Sequence, residues 1–330
     1  MANPPVTLSD IKAAHDRIKP YIHQTPALTS STFDSFASTH APNPRQFTFK
    51  CENFQKIGAF KFRGATNAVM QLPEEVKFVL THSSGNHGQA LALAARERGI
   101  NSCVVVPKNA PLVKREAIRG YGARVVECEP NIKAREETCN RLAAELGGVI
   151  LPPFDHPHII AGQGTTALEL IEQMQYQVDA IIAPVGGGGL LSGCAIAAKG
   201  LVPGIKVFAA EPEGADDCKR SFDSKTWHPS VNPNTVADSL LPSTGKITFP
   251  LILENVDAVF TVSDEQIIQA MKFLWERMKI IVEPGSATVA AVALYNKEFL
   301  ALQGIHRVGL VLSGGNVDLD RLPWIKSNEK

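Results

Sequence analysis

Apolar residues at Ile11, Ala14 and Ile18 recur at helical spacing after Ser9, which predicts an N-capped amphipathic helix stopping before Pro20. Gln46 to Cys51 alternates as a short strand does, and Ala65 to Leu72 returns to a helical pattern. From there one unit recurs: a β-rich run, a turn with glycine or proline, then a helix. Phe78 to His82 precedes a helix over Gln89 to Arg98 that Gly99 stops. Ser102 to Val106 precedes Leu112 to Arg119, and Arg124 to Glu127 precedes Ala134 to Leu146. Ala180 to Val185 runs through four glycines into Leu190 to Lys199, and Lys206 to Ala210 follows. Ser221 to Thr248, rich in Pro, Ser, Asn and Thr, predicts an irregular crossing. Asp264 to Met278, capped by Ser263, is helical, is continued by Ala287 to Tyr295 after Glu283-Pro284-Gly285, and Val308 to Leu312 is the last strand.

Such alternation predicts an α/β fold in which mostly parallel, twisted sheets are covered by helices, with ligands bound where the strands end. The expected division is discontinuous. A smaller α/β lobe over residues 76–153 is inserted in a larger one made from residues 1–75 and 154–330.

Composition narrows the partner. The 33 basic and 33 acidic residues cancel, so no overall charge steers the chain to nucleic acid or a membrane surface, and a small neutral partner is expected. No apolar stretch reaches spanning length and Met1 to Asp10 does not read as a leader, which predicts an intracellular protein. Six scattered cysteines without a C-x-x-C pair argue against structural zinc and a disulfide framework and for reduced thiols in cytosol.

Four stretches carry candidate chemistry. Lys61 lies between Phe60 and Phe62; an amine held among aromatic rings is partly desolvated, so more of it is the neutral nucleophile that condenses with carbonyls. Gly186 to Gly189, after a buried strand and opening a helix, lets several N–H groups converge on a phosphate. Ser83-Ser84-Gly85-Asn86-His87-Gly88 offers hydroxyls, an amide and an imidazole at a strand end, with His87 read as structural. Ser313-Gly314-Gly315-Asn316 puts a hydroxyl where a pyridine nitrogen could meet it. A dinucleotide is the rival occupant of the glycine turn. The G-x-G-x-x-G spacing does not fit, because Leu190 and Leu191 occupy the needed positions, yet Glu211 stands where a ribose-binding acid would in a nicotinamide-dependent oxidoreductase.

Phe60-Lys61-Phe62-Arg63-Gly64-Ala65, Ser83 to Gly88, Ala161-Gly162-Gln163-Gly164-Thr165, Gly186 to Gly189 and Leu312 to Asp318 occur in one order over almost the whole chain. In that order they resemble the motifs of the pyridoxal-phosphate-dependent serine racemases and serine/threonine dehydratases, a two-lobed fold-type II family. Glu211-Pro212, Thr235 to Asp238 and Trp275 to Lys279 bring the likeness to the eukaryotic racemase branch. The resemblance implies that Lys61 holds pyridoxal 5'-phosphate as a Schiff base and acts on one face of the substrate, with Ser84 as the acid/base opposite. It also implies that Phe60 packs on the cofactor, Asn86 bonds its hydroxyl, Gly186, Gly187, Gly188 and Gly189 bind its phosphate, and Ser313 faces its ring nitrogen. Ser83, Ser84, Asn86 and Arg135 would take the substrate carboxylate. Glu211, Asp217 and the carbonyl of Ala215 would ligate Mg²⁺, or Ca²⁺ or Mn²⁺. Gln89, Tyr121, Lys279 and Asn316 would contribute to an ATP effector site in a homodimer. The implied activity is interconversion of L- and D-serine with elimination of water to pyruvate and ammonia. The alternative is a dehydratase for L-threonine or threo-3-hydroxyaspartate, because Phe154-Asp155-His156 and Pro242 depart from the animal racemases.

Overall fold

The computed structural model describes residues 5–39, 43–83 and 85–325. In chain order, α1 (Leu8–Ile18), β1 (Ala27–Thr29), α2 (Ser31–Ser38) and β2 (Gln46–Cys51) lead to α3 (Lys61–Met70). Then come β3 (Phe78–Thr81), α4 (Asn86–Arg98), β4 (Asn101–Pro107), α5 (Leu112–Gly120), β5 (Arg124–Cys128), α6 (Ile132–Leu146) and β6 (Val149–Ile150). The chain continues through α7 (Pro157–Gln173), β7 (Ala180–Pro184), α8 (Gly189–Leu201), β8 (Lys206–Pro212), α9 (Asp217–Ser224) and α10 (Thr248–Asn255). It closes with β9 (Ala258–Val262), α11 (Asp264–Phe273), α12 (Pro284–Tyr295), α13 (Lys297–Ala301) and β10 (Arg307–Leu312).

Two sheets result. The larger runs β1-β2-β10-β7-β8-β9 and is parallel except where β1 meets β2; the smaller runs β5-β4-β3-β6 and is parallel throughout. Strands such as Ala180–Pro184 are buried along their whole length, as parallel strands covered on both faces must be. Helix α12, with Val289, Ala290, Val292 and Ala293 inaccessible, packs in the apolar cluster on one face of the larger sheet. Helices α7 and α8 fill the other.

Local chemistry moved several boundaries. The cap of α1 is Thr7, not Ser9: Thr7 Oγ1 accepts the Asp10 N–H and Asp10 Oδ2 accepts the Thr7 N–H at 2.8 Å. Ser9 has Lys12 three residues on, which cannot close that box. The crossing that begins at Ser221 opens as helix, since α9 runs to Ser224 before Lys225 turns left-handed at φ 56°.

Arg45, 2% exposed, forms no ion pair among the described residues. Its guanidinium donates to the carbonyls of Phe299, Leu300, Leu302 and Ile305 and lies 4.5 Å over the Phe299 ring, so it caps the end of α13. Arg45→Met should therefore lower stability by about 2–4 kcal/mol, read as a lower urea midpoint at unchanged slope, because four buried carbonyls lose a charged donor.

Candidate active site

The chain leaves β2 at Cys51 and turns back beside the end of β10. Phe60 N–H donates to the Ser313 carbonyl (2.9 Å), Gly315 N–H donates to the Gly58 carbonyl (2.9 Å), and Ala59 pairs with Gly314. The turn costs backbone strain: Ile57 takes φ 60°, left-handed and unfavourable for a β-branched residue by about 1–2 kcal/mol. Asn316 Nδ2 holds it by donating to the Ile57 carbonyl at 2.8 Å. The turn sets Lys61 in the first turn of α3, four residues earlier than the helical pattern begins in the sequence. The Lys61 amine donates to the Pro153 carbonyl at 2.7 Å and lies 5.1 Å from the centre of the Phe60 ring. Burial lowers its pKa to about 8, against the raising influence of Glu283.

Asn86 opens α4, and its side-chain orientation is fully specified. Nδ2 donates to both oxygens of Glu283 at 3.1 Å, and Oδ1 accepts from Asn316 Nδ2 at 2.8 Å. Glu283, 3% exposed, also accepts the Asn316 N–H at 3.2 Å, and burial raises its carboxyl above the usual range despite the Asn86 bonds. Sequence reasoning read Glu283 only as part of a helix break. The available signal was one acid between the apolar run Ile280-Ile281-Val282 and a proline.

Gly186 to Gly189 turn from β7 into α8, whose first N–H groups have no partner within the helix. At two of its positions the surroundings leave no room for a side chain. A Cβ on Gly187 would lie 2.2 Å from the Phe154 ring, and Gly188 takes φ 89° with Thr248 Oγ1 2.8 Å from its Cβ position. Asp155 steadies this wall by accepting the N–H groups of Lys246, Ile247 and Thr248 at the start of α10.

On the facing side, Ser83 Oγ accepts the Gly85 N–H. Ser84 lies outside the described residues. Arg135, on the first turn of α6, neighbours His82 at the end of β3, and among the described residues its buried Nε has no hydrogen-bond partner. His87 is buried with Nε2 3.1 Å from the Leu151 carbonyl, so Nε2 carries the proton; burial and then Lys61 push its pKa down to about 3. It is a neutral structural group.

A partly buried lysine, a glycine turn at a helix start and an oriented amide thus gather at the strand ends, with Arg135 beside His82 at the end of β3. The family model described as "Pyridoxal-phosphate dependent enzyme" matches residues 18–314. The chain belongs to this family. Proteins similar to it include a serine racemase of Dictyostelium discoideum, 53% identical over 324 residues, covering 97% of this chain and 98% of the relative. A beta-hydroxyaspartate dehydratase of Paracoccus denitrificans is 46% identical, covering 96% and 98%. The crystal structure of the Dictyostelium racemase superposes with a TM-score of 0.90, covering 96% of this chain and all of that one at 52% identity.

For a pyridoxal-phosphate-dependent enzyme, Glu211 is misplaced as a ribose ligand, and the dinucleotide alternative falls. It is 1% exposed, and its oxygens accept the N–H groups of Cys218 and Lys219 at 2.8 Å. Burial raises its pKa well above the ordinary value and raises that of Asp217 to about 6. Asp217 accepts the Thr244 N–H at 3.3 Å, Thr244 Oγ1 is buried with no partner among the described residues, and Ala215 is buried beside them. Among the described residues, no three His, Cys, Asp or Glu side chains form a metal-binding group. Of the residues grouped around a nucleotide, Asn316 joins the site and Gln89 lies one turn along α4 from Asn86. Tyr121 instead packs under Arg96, and the Lys279 amine donates to the Glu276 carbonyl. Among the described residues, no helix is long and apolar enough to cross a membrane.

Proposed function

We propose that this chain is a serine racemase that interconverts L- and D-serine and also eliminates water from serine to give pyruvate and ammonia. The observation that carries the reading is the Lys61 amine, beside Phe60 and on the Pro153 carbonyl with its pKa lowered to about 8, next along the chain to Phe154, which packs on a glycine turn with no room for a Cβ at Gly187. Bound pyridoxal phosphate supplies an aldehyde and an electron-withdrawing ring that acidify the substrate α-carbon. Gly186 to Gly189 would hold its phosphate, Asn86 would bond its hydroxyl, and Ser313 would face its ring nitrogen. Lys61 moves the α-proton on one face and Ser84 on the other, as inversion requires two groups. Arg135, with Ser83 and Asn86, takes the substrate carboxylate; its unpartnered buried Nε supports that role. Residues 76–153 form a lobe that closes over the substrate, and the enzyme works as a cytosolic homodimer.

Product analysis with L-serine, D-serine, L-threonine and 3-hydroxyaspartate tests the assignment. D-serine formed from L-serine is the expected result, and its absence rules out the racemase. A dehydratase of threo-3-hydroxyaspartate is the second reading, favoured by the likeness to the Paracoccus enzyme.

A divalent cation, Mg²⁺, Ca²⁺ or Mn²⁺, fits Glu211, Asp217 and the Ala215 carbonyl. Two buried carboxylates and a buried Thr244 hydroxyl with no partner among the described residues make a set of hard oxygen donors. Added Mg²⁺ should raise the melting temperature, because binding stabilises the fold by roughly 2.7 kcal/mol at a hundred times its dissociation constant. The gain should be larger at pH 8 than at pH 5, since raised carboxyl pKa values leave the acids more protonated at the lower pH. An equal gain at both, or none, speaks against the site. ATP is the proposed effector at Gln89, Tyr121, Lys279 and Asn316, tested by activity against ATP concentration.

A further inference from the structure

Behind α3 lies a cluster that the chemistry above does not use. Lys50, Glu52, Arg63 and Glu169 have side chains at most 1% exposed, two cations against two anions. Arg63 is gripped by two forks. Nε and Nη2 donate to Glu52 Oε2 (2.7 Å) and Oε1 (2.8 Å), while Nη1 and Nη2 donate to Glu169 Oε1 and Oε2 (both 2.8 Å). Lys50 completes the cluster on Glu169 Oε2 (2.8 Å), Gln173 Oε1 and the Thr25 carbonyl (both 2.9 Å).

Stability alone is a poor reason for this arrangement, because apolar side chains of similar volume commonly serve a core as well or better. What two planar bidentate pairs supply is direction, since neither fork can turn without losing bonds. Arg63 lies two residues after Lys61, about 200° round the helix, so one side chain enters the core where the other faces the site. Its partners belong to the turn after β2 and to α7. Next to Arg63 the two helices are pressed together, since a Cβ on Gly162 would lie 2.6 Å from Gly64 Cα. Helix α7 in turn begins four residues after Pro153, whose carbonyl receives the Lys61 amine. A shift of α3 against α7 therefore separates the amine from its acceptor.

We propose that Arg63, held between Glu52 and Glu169, is a positioning residue for Lys61, fixing where its amine meets the Pro153 carbonyl and the glycine turn. The inference rests on Lys61 being the amine that bonds pyridoxal phosphate. The test uses the cofactor-free full chain in two variants. Arg63→Lys keeps the charge and loses the forks. The fourfold variant Lys50→Met, Glu52→Met, Arg63→Met, Glu169→Met keeps an apolar core and loses the direction. In each, circular dichroism reports folding, mass spectrometry follows acylation of Lys61 against pH, and visible absorbance follows pyridoxal phosphate uptake. The expected result is a folded variant in which the acylation midpoint moves up from about 8 toward the ordinary lysine value of 10.5 and uptake slows about tenfold or more. A folded variant with the wild-type midpoint and uptake overturns the proposal, as does failure of both variants to fold, which makes the cluster a folding requirement. Should the wild-type chain take up no pyridoxal phosphate, the reading of Lys61 has failed, and the acylation midpoint alone decides on Arg63.

Discussion

Lys61→Ala should fold as the parent does, hold no covalently bound pyridoxal phosphate, and convert L-serine more slowly by roughly 10³-fold or more. The alanine removes at once the group that bonds the cofactor and the group that moves a proton on one face. Stability should not suffer. A lysine whose folded pKa is depressed to about 8 is a cost to the fold, fully present below that pH and gone once the pH passes the ordinary value of 10.5. Deleting it at pH 7 leaves the melting temperature unchanged or raises it. The same pKa sets the pH dependence of cofactor capture. At pH 7 roughly one amine in ten is neutral, against one in several thousand for an exposed lysine. Capture by the cofactor-free chain should thus rise about fivefold from pH 7 to 8 and level off above pH 9. His87, at about 3, does not titrate in that window. A rate still climbing at pH 10 would show the amine to be solvated and the enclosure by Pro153 and Phe60 irrelevant.

The sequence made the strand-turn-helix recurrence legible because that signal is local: each run carries its own period and its own breaker, as Gly99 shows with φ 76° at the end of α4. The same locality exposed Lys61 between its rings and the glycine turn at the head of α8. Helix α7 escaped. Gly162 and Gly164 entered only as members of a motif with no element assigned to it, yet they are where other backbones come close, with a Cβ on Gly164 lying 2.8 Å from the Gly193 carbonyl. Glu283 escaped for a related reason, since its meaning comes from Asn86 and Asn316, far away in the chain. The Arg63 cluster joins residues up to 119 positions apart, so nothing near Arg63 announces it. Local period reveals elements and the loops at strand ends; what presses on a glycine or pairs with a buried charge is decided by the crossing of elements.

Gly187→Ala measures the other half of the site, the cradle. The added methyl would stand 2.2 Å from Cδ1 of Phe154, and the ring has little freedom to retreat. The Pro153 carbonyl on one side holds the Lys61 amine, and Asp155 on the other accepts three N–H groups of the α10 start. Either the ring or the turn must therefore shift, and a shifted turn no longer aims its N–H groups at one phosphate. An overpacking cost of about 2 kcal/mol, taken from cofactor binding, corresponds to roughly 30-fold in dissociation constant. Gly189→Ala is the control, because its methyl would meet Phe154 only at 3.1 Å and a few tenths of an ångström of give suffice. Equilibrium titration with pyridoxal phosphate should accordingly rank wild type close to Gly189→Ala and well ahead of Gly187→Ala. Adding Phe154→Ala to Gly187→Ala removes the obstructing ring and should recover part of the loss, a coupling that two independent sites would not show. Unchanged affinity in Gly187→Ala would mean that the phosphate is held elsewhere, and the assignment of the glycine turn would fall with it.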